Sequence, residues 1–445
     1  MYHDDPEEYI GSRIVGFEVY PKSISSEGRI GCAKLGGELP PQDVGHATKV
    51  VYTYSVEFRE EKDVKWSNRW NLYLSNSNQN IHWYSIINSI IILMFLSAMV
   101  AVIMLRTLNH DITTYNQEDL KEEQEEVTGW KLVHGDVFRQ PKMSGLLAAL
   151  VGSGVQFIGM ILVTTLFALI GVLNPSYRGG MLSFTVFLFF FMGAFGGYNS
   201  SRLYKTFKGS SWQKNALLTG TLVPGILFLI IFLLDLFIWS QQSSSAIPFG
   251  TFVALVVLWF CVSLPLVFLG AYFGQKKKPI EHPVRTNQIP RQIPETSWFL
   301  SPVASVLIAG LLPFAVIFIE LFFVMKSVWQ DQFYYLYGFA TIVFAILIIT
   351  CIEITIVIIY FQLCSEDYRW WWRSFFVSGS SSFYIFLYAL FYYATRIQYV
   401  AFVPGLIYFT YVTVSCLIYF LCTGTIGFLA CYFALRRIYG AVKVD

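Results

Sequence analysis

Charge is what this sequence lacks most: only 13% of its 445 residues are acidic or basic, against 55% hydrophobic. A water-soluble fold of that composition would expose large apolar surfaces, and lipid solvates them instead. No C-x-x-C pair occurs, and the cysteines (Cys32, Cys261, Cys351, Cys364, Cys416, Cys422 and Cys431) lie mostly inside apolar stretches. That argues against a disulfide framework or a zinc site and leaves them as small packing residues, with no metal and no cofactor expected. The loops hold no nucleophile–base pair, so no catalytic residue is assigned and an enzyme is disfavoured. The net charge of +2 is spread over loops, which gives no nucleic-acid surface.

What is there is a series of nine apolar runs: Ile86 to Leu105, Gly145 to Leu173, Met181 to Gly197, Ala216 to Trp239, Ile247 to Phe273, Phe299 to Met325, Phe333 to Leu363, Phe375 to Ala394 and Tyr399 to Leu435. Almost all reach the roughly 17–25 residues that cross a bilayer as a helix. The last is long for one helix, and Pro404 is a candidate boundary between a lead-in and the span proper. Residues 85–438 therefore read as a nine-helix transmembrane domain, with loops at 106–144, 198–215, 274–298 and 364–374 on one side.

Cations favour those loops over the links on the other side. Arg202, Lys205, Lys208 and Lys214 follow the third run; Lys276, Lys277, Lys278, Arg285 and Arg291 follow the fifth; Arg369 and Arg373 precede the eighth. Links on the other side carry Arg178, Lys326 and Arg396 or no cation at all. Positive residues favour the cytosol, which puts Arg436, Arg437 and the 439–445 tail there and residues 1–84 in the lumen. Eight or ten spans would place the basic tail on the wrong side.

Residues 1–84 alternate or run β-branched and aromatic at Arg13–Tyr20 and Val50–Phe58, between Gly, Pro and Ser clusters, so they read as part of a β-rich lumenal domain. The fold class is mainly α: a polytopic nine-helix bundle preceded by the remnant of that domain. No charged n-region with a cleavable apolar stretch stands at the start, which reads as N-terminal truncation. The sequon at Asn199 falls on the cytosolic side, where it is unused. Glu118–Glu126 reads as a solvated acidic stretch or a docking site for a basic partner. The proline-rich, basic segment from Gln275 to Thr296 reads as an extended linker against an anionic membrane face.

Three carboxylates lie within the runs: Asp235, Glu320 and Glu353. Unpaired charge in hydrocarbon is expensive, so each needs a hydrogen bond, a proton or a wet cavity. They form a candidate intramembrane polar site, with Asp235 also readable as an interface residue near Trp239. Glycines at helix-packing spacing (Gly152, Gly154, Gly159, Gly193, Gly196, Gly197, Gly424, Gly427) serve either packing inside the bundle or a face for another protein's helix. Arg369-Trp370-Trp371-Trp372-Arg373 reads as a membrane-interface anchor, aromatics at headgroup level and arginines toward lipid phosphates.

That string with its preceding Glu366-Asp-Tyr, together with Gly129-Trp-Lys-Leu-Val-His-Gly-Asp-Val-Phe-Arg139, Tyr2-His-Asp-Asp-Pro-Glu-Glu8 and Ile81-His-Trp-Tyr-Ser-Ile-Ile-Asn88, resembles the nonaspanins, the transmembrane nine superfamily of endomembrane proteins. The resemblance implies a signal peptide and a large lumenal domain before nine helices; this chain departs from it by lacking the first and most of the second. It also implies a non-enzymatic sorting role in the Golgi and endosomes: association with transmembrane cargo, notably glycine-rich helices, and support of its surface delivery, with effects on adhesion and phagocytosis. The ending Lys443-Val444-Asp445 is similar to the family's K-x-D/E terminus, read by the COPI coat for retention. The competing reading is a proton-coupled transporter or channel built on Glu320, Glu353 and Asp235.

Overall fold

The computed structural model describes residues 2–4, 12–20, 54, 56–60, 83–118, 129–170, 172–173, 178–241, 246–295, 297–329, 336–396 and 402–441. It divides the chain into two units, Met1–Asn80 with Asn174–Arg178, and Ile81–Leu173 with Gly179–Asp445. In the first, β1 (Tyr2–Asp4) pairs antiparallel with β2 (Ser12–Ile14), His3 opposite Arg13. The strand expected from Arg13 to Tyr20 stops at Ile14, and residues 54 and 56–59 carry no strand. A ribbon of two such short strands is marginal alone.

The second unit is helical. Its helices are α1 (Trp83–Glu118), α2 (Ser144–Leu169), α3 (Gly179–Thr206), α4 (Trp212–Ser240), α5 (Phe249–Lys276), α6 (Pro302–Trp329), α7 (Leu336–Cys364), α8 (Trp370–Arg396) and α9 (Phe402–Ala441). Among the described residues, α2 to α9 are long and apolar enough to cross a membrane, and α1 contains the shorter apolar stretch Ile87–Val102. The chain is thus a polytopic helical membrane protein. Pro404 lies in the first turn of α9, at the start of the helix, where a missing N–H costs no helical bond. The helices outrun the apolar stretches because backbone hydrogen bonding continues past the lipid boundary, where polar side chains are welcome. Loop 198–215 shrinks accordingly to residues 207–211, and loop 364–374 to 365–369.

α9 packs against α2, α4, α7 and α8, and α6 against α7 and α8. Close approach is the work of the glycines. A Cβ on Gly152 of α2 would stand 2.6 Å from Ser200 Cβ and 2.7 Å from Gly196 O on α3, and one on Gly154 would strike Thr425 of α9. Gly197 faces Val267 of α5; Gly424 and Gly427 face Phe375 and Ser378 of α8. These glycines therefore pack within the bundle.

Interior prolines are handled locally. Pro224 in α4 cannot donate to the carbonyl of Gly220, four residues earlier, and the Trp259 indole of α5 supplies the bond instead at 2.9 Å. Trp259 begins a π turn, Trp259–Ser263, inside α5 just before Pro265. α8 is interrupted at Ser380, where Gly310 of α6 lies against its backbone.

Gly152→Val should lower the thermal unfolding midpoint of the detergent-solubilised chain, with a cost of about 1–3 kcal/mol from overpacking. Gly250→Val, whose Cβ meets nothing within 4 Å, should leave the midpoint nearly unchanged. Equal midpoints for the two variants would refute the packing role.

Candidate functional site

Two of the three intramembrane carboxylates are turned toward α1. Its buried side runs through Ser89, Leu93 and Ser97, one helical stripe packed on α6 and α7. Ser89 donates to Glu320 of α6 and lies 3.3 Å from Val316 O one turn earlier; Ser97 donates to Glu353 of α7. The serines are eight residues apart, so the two contacts are staggered by about 12 Å along α1. Glu320 is 1% exposed. Glu353 is half-buried, and its Oε2 is buried without a hydrogen-bond partner among the described residues. The pairing serines were not singled out from the sequence; hydroxyls at i and i+8 in an apolar run were the available signal.

Asp235 belongs elsewhere. On α4, and only 2% exposed, it accepts the Ile247 N–H at 2.8 Å, while the Trp239 indole donates to Ile247 O at 3.0 Å. Both backbone groups of Ile247, in the link to α5, are thus satisfied by α4 side chains. Asp235 fastens a helical hairpin, with its other oxygen, Oδ2, buried without a hydrogen-bond partner among the described residues, while Glu320 and Glu353 are the two that share α1 with their serines.

At the end of the bundle carrying the basic loops, residues 129–143 form a compact cap, opening with the 3-10 turn Trp130–Val133. Val133 and Val137 are fully buried and Trp130 nearly so. The tryptophan triplet of α8 reads this segment along its backbone: Trp370, Trp371 and Trp372 indoles donate to the carbonyls of Val137, Arg139 and Lys142 at 2.7, 2.8 and 2.7 Å. The Tyr439 hydroxyl of α9 donates to Trp130 O at 2.9 Å. The interface-anchor expectation is corrected here for Trp370, Trp371 and Arg373, which are buried in the protein; Trp372 is half-buried, and Arg369 is exposed. Their indole N–H groups need acceptors once dehydrated, and the cap supplies them.

The hub of the cap is Asp136, 2% exposed, which pairs with Arg139 and accepts the Arg291 N–H at 3.2 Å. Arg139 also donates to Asn287 O at 2.7 Å, and Asn287 N–H to Gly135 O at 2.8 Å. The linker expected to lie along the membrane instead folds over the helix ends. α7 ends in a Schellman turn: Glu366 N–H donates to Leu363 O, Asp367 N–H to Gln362 O, and Glu366 takes the left-handed conformation at φ 62°. This aims Glu366 at Arg291, 2.8 Å away, and Asp367 at Arg369 and Arg373. Asn199 sits within α3, its side chain donating to Phe195 O at 2.9 Å. Lys443 and Asp445 lie outside the described residues, as does most of Glu118–Glu126. No group of three or more possible metal ligands occurs among the described residues.

The endomembrane protein 70 family model matches residues 1–402. The chain is similar to transmembrane 9 superfamily member 9 of Arabidopsis thaliana, 51% identical over 458 aligned positions covering all of this chain and 71% of the relative. It is also similar to member 4 of Mus musculus, 51% identical over 100% of this chain and 70% of the relative, and to member 2 of Pongo abelii, 48% identical over 100% and 67%. No solved structure matches.

His282 in the linker stacks on Phe138 at 4.4 Å, and its imidazole is lowered from 6.5 to about 4, by burial first and then by Arg436 and Lys208. A histidine so held binds its proton more readily when the linker is released. Its contribution to the cap is therefore full above about pH 6.5 and is lost as pH falls toward 4. Hydrogen exchange of residues 277–295, corrected for intrinsic rates, should speed up at pH 5 relative to pH 7, and His282→Phe should flatten the dependence. An unchanged profile in the variant would assign the effect to other groups.

Proposed function

Because the chain belongs to the endomembrane protein 70 family, the transmembrane 9 superfamily of multi-pass endomembrane proteins, we propose that it is a non-enzymatic cargo receptor or membrane chaperone of the Golgi and endosomes. On this reading it sorts transmembrane proteins and supports their surface localisation, and through them adhesion and phagocytosis. One observation carries the reading at the level of residues: Glu353 lies within a membrane span, one oxygen taken by Ser97 and the other buried without a hydrogen-bond partner among the described residues. A buried acceptor or donor with no protein partner favours any helix that can complete it. Glycine-rich spans suit this position, because they bring their backbone within reach of a polar group on a facing helix. The glycines at helix-packing spacing, Gly152, Gly154, Gly197, Gly424 and Gly427 among them, are occupied by internal packing, so recognition passes through Glu353 and Glu320 rather than through matched small-residue faces.

The basic loops orient the molecule with its N-terminal segment in the lumen and its C-terminus in the cytosol. There Lys443 and Asp445 meet the COPI coat, which returns the protein to the Golgi. The staggered depth of Glu320 and Glu353 favours the second reading, a proton-coupled transporter or channel.

Depletion should remove multipass proteins with glycine-rich helices from the cell surface, and the wild-type chain should restore them where Glu353→Leu does not. Surface proteomics reads both arms. An unaltered surface proteome together with a proton-coupled flux in reconstituted vesicles would replace the sorting reading by the transporter. Separately, Lys443→Ala with Asp445→Ala should shift the protein from the Golgi to later compartments; an unchanged distribution by immunofluorescence would refute the tail's role.

A further inference from the structure

At the basic end, α6 and α7 part to leave a cavity of about 660 Å³ between Phe299, Leu300 and Ile308 on one side and Ile358, Phe361 and Cys364 on the other. That volume falls in the range of roughly 300–1,000 Å³ typical of small-molecule sites. Two serines also line it, and both turn their hydroxyls to their own backbone: Ser305 to Pro302 O at 3.3 Å, Ser365 to Gln362 O at 2.8 Å. The walls therefore offer apolar contact alone.

Charge lies beside the cavity, one residue removed from its lining. Arg373 donates to the carbonyl of the wall residue Leu300 at 3.0 Å, which ties its guanidinium to the backbone behind that wall. Arg373 and Arg369 share a single carboxylate, Asp367, at 3.6 and 3.1 Å, while the neighbouring Glu366 is engaged by Arg291. Two cations on one anion leave a positive charge uncompensated, and Arg369 presents it: its side chain is 64% exposed, whereas that of Arg373 is 6% exposed. Trp298, at the start of the α6 wall, is 76% exposed, as an aromatic at headgroup level is expected to be.

We propose that this cleft holds one anionic phospholipid, an acyl chain between α6 and α7 and the headgroup phosphate on Arg369. An apolar slot with charge confined to one end matches an amphiphile, and a guanidinium is suited to bidentate phosphate binding. A helix from another protein fits less well: at about 10 Å across it would need roughly 850 Å³ for two turns, and it has no use for a terminal anion site.

The test uses the full chain in phosphatidylcholine vesicles doped with phosphatidylserine or phosphatidylcholine carrying a diazirine on the acyl chain. Crosslinks should concentrate on peptides spanning residues 299–308 and 358–364, with about a 5-fold preference for the serine lipid. Arg369→Gln should abolish the preference while retaining phosphatidylcholine crosslinks, and Ile308→Trp should reduce crosslinking by both lipids at those peptides. Crosslinks spread over all lipid-facing helices, a preference unchanged in Arg369→Gln, or capture of a protein at those peptides would each overturn the proposal. Should Ile308→Trp fail to fold, the wild-type map and Arg369→Gln decide.

Discussion

Hydrocarbon offers no hydrogen bonds, so a polar group that the sequence places at membrane depth is costly unless the protein itself satisfies it. The bundle's contacts follow from that demand. Pro224 orphans a carbonyl, and an indole from the next helix takes it. Asn215 donates to Ser200, whose hydroxyl lies 2.7 Å from that of Thr219, so α3 and α4 are joined by side chains that would be liabilities facing lipid. Ser378 of α8 donates to Thr423 O of α9 at 2.6 Å, beside the glycines that bring those helices close. Glycine supplies proximity and hydroxyls supply closure; neither suffices alone, because a hydrogen bond needs the approach and the approach strands polar atoms without the bond.

The membrane architecture was legible because hydropathy is a property of runs, and runs survive without knowing what packs on what. Residue-level roles were less so. The Trp370–Trp372 string carries the same composition whether it meets headgroups or protein, and only the fold of residues 129–143 decides in favour of protein. Asp235 and Glu353 looked alike as carboxylates in apolar runs; they differ because Ile247 returns near Asp235, a long-range fact set by the α4–α5 turn. Ser89 and Ser97 have only their i, i+8 spacing in an apolar run to mark them, and that spacing does not name partners more than two hundred positions away. Helix ends were misjudged for a different reason: the apolar pattern stops at the lipid boundary, and the backbone ladder does not.

The two polar constellations divide the labour of the molecule. The cap binds the start of α8 and the ends of α7 and α9 through indoles, Asp136 and the 277–295 linker, a dense network at the water boundary. Glu320 and Glu353 sit among apolar neighbours at depth, each with one serine from α1.

α9 has 40 unbroken residues, and at 1.5 Å per residue it is about 60 Å long. A bilayer with its headgroups is only about 40–45 Å thick. Even tilted by about 20°, such a rod overtops the headgroups by some 10 Å or more. The Tyr439–Trp130 bond lies near its far end. The excess therefore has to leave the bilayer at one end or both, so that however the rod is set, part of α9 is offered to water as bare helix.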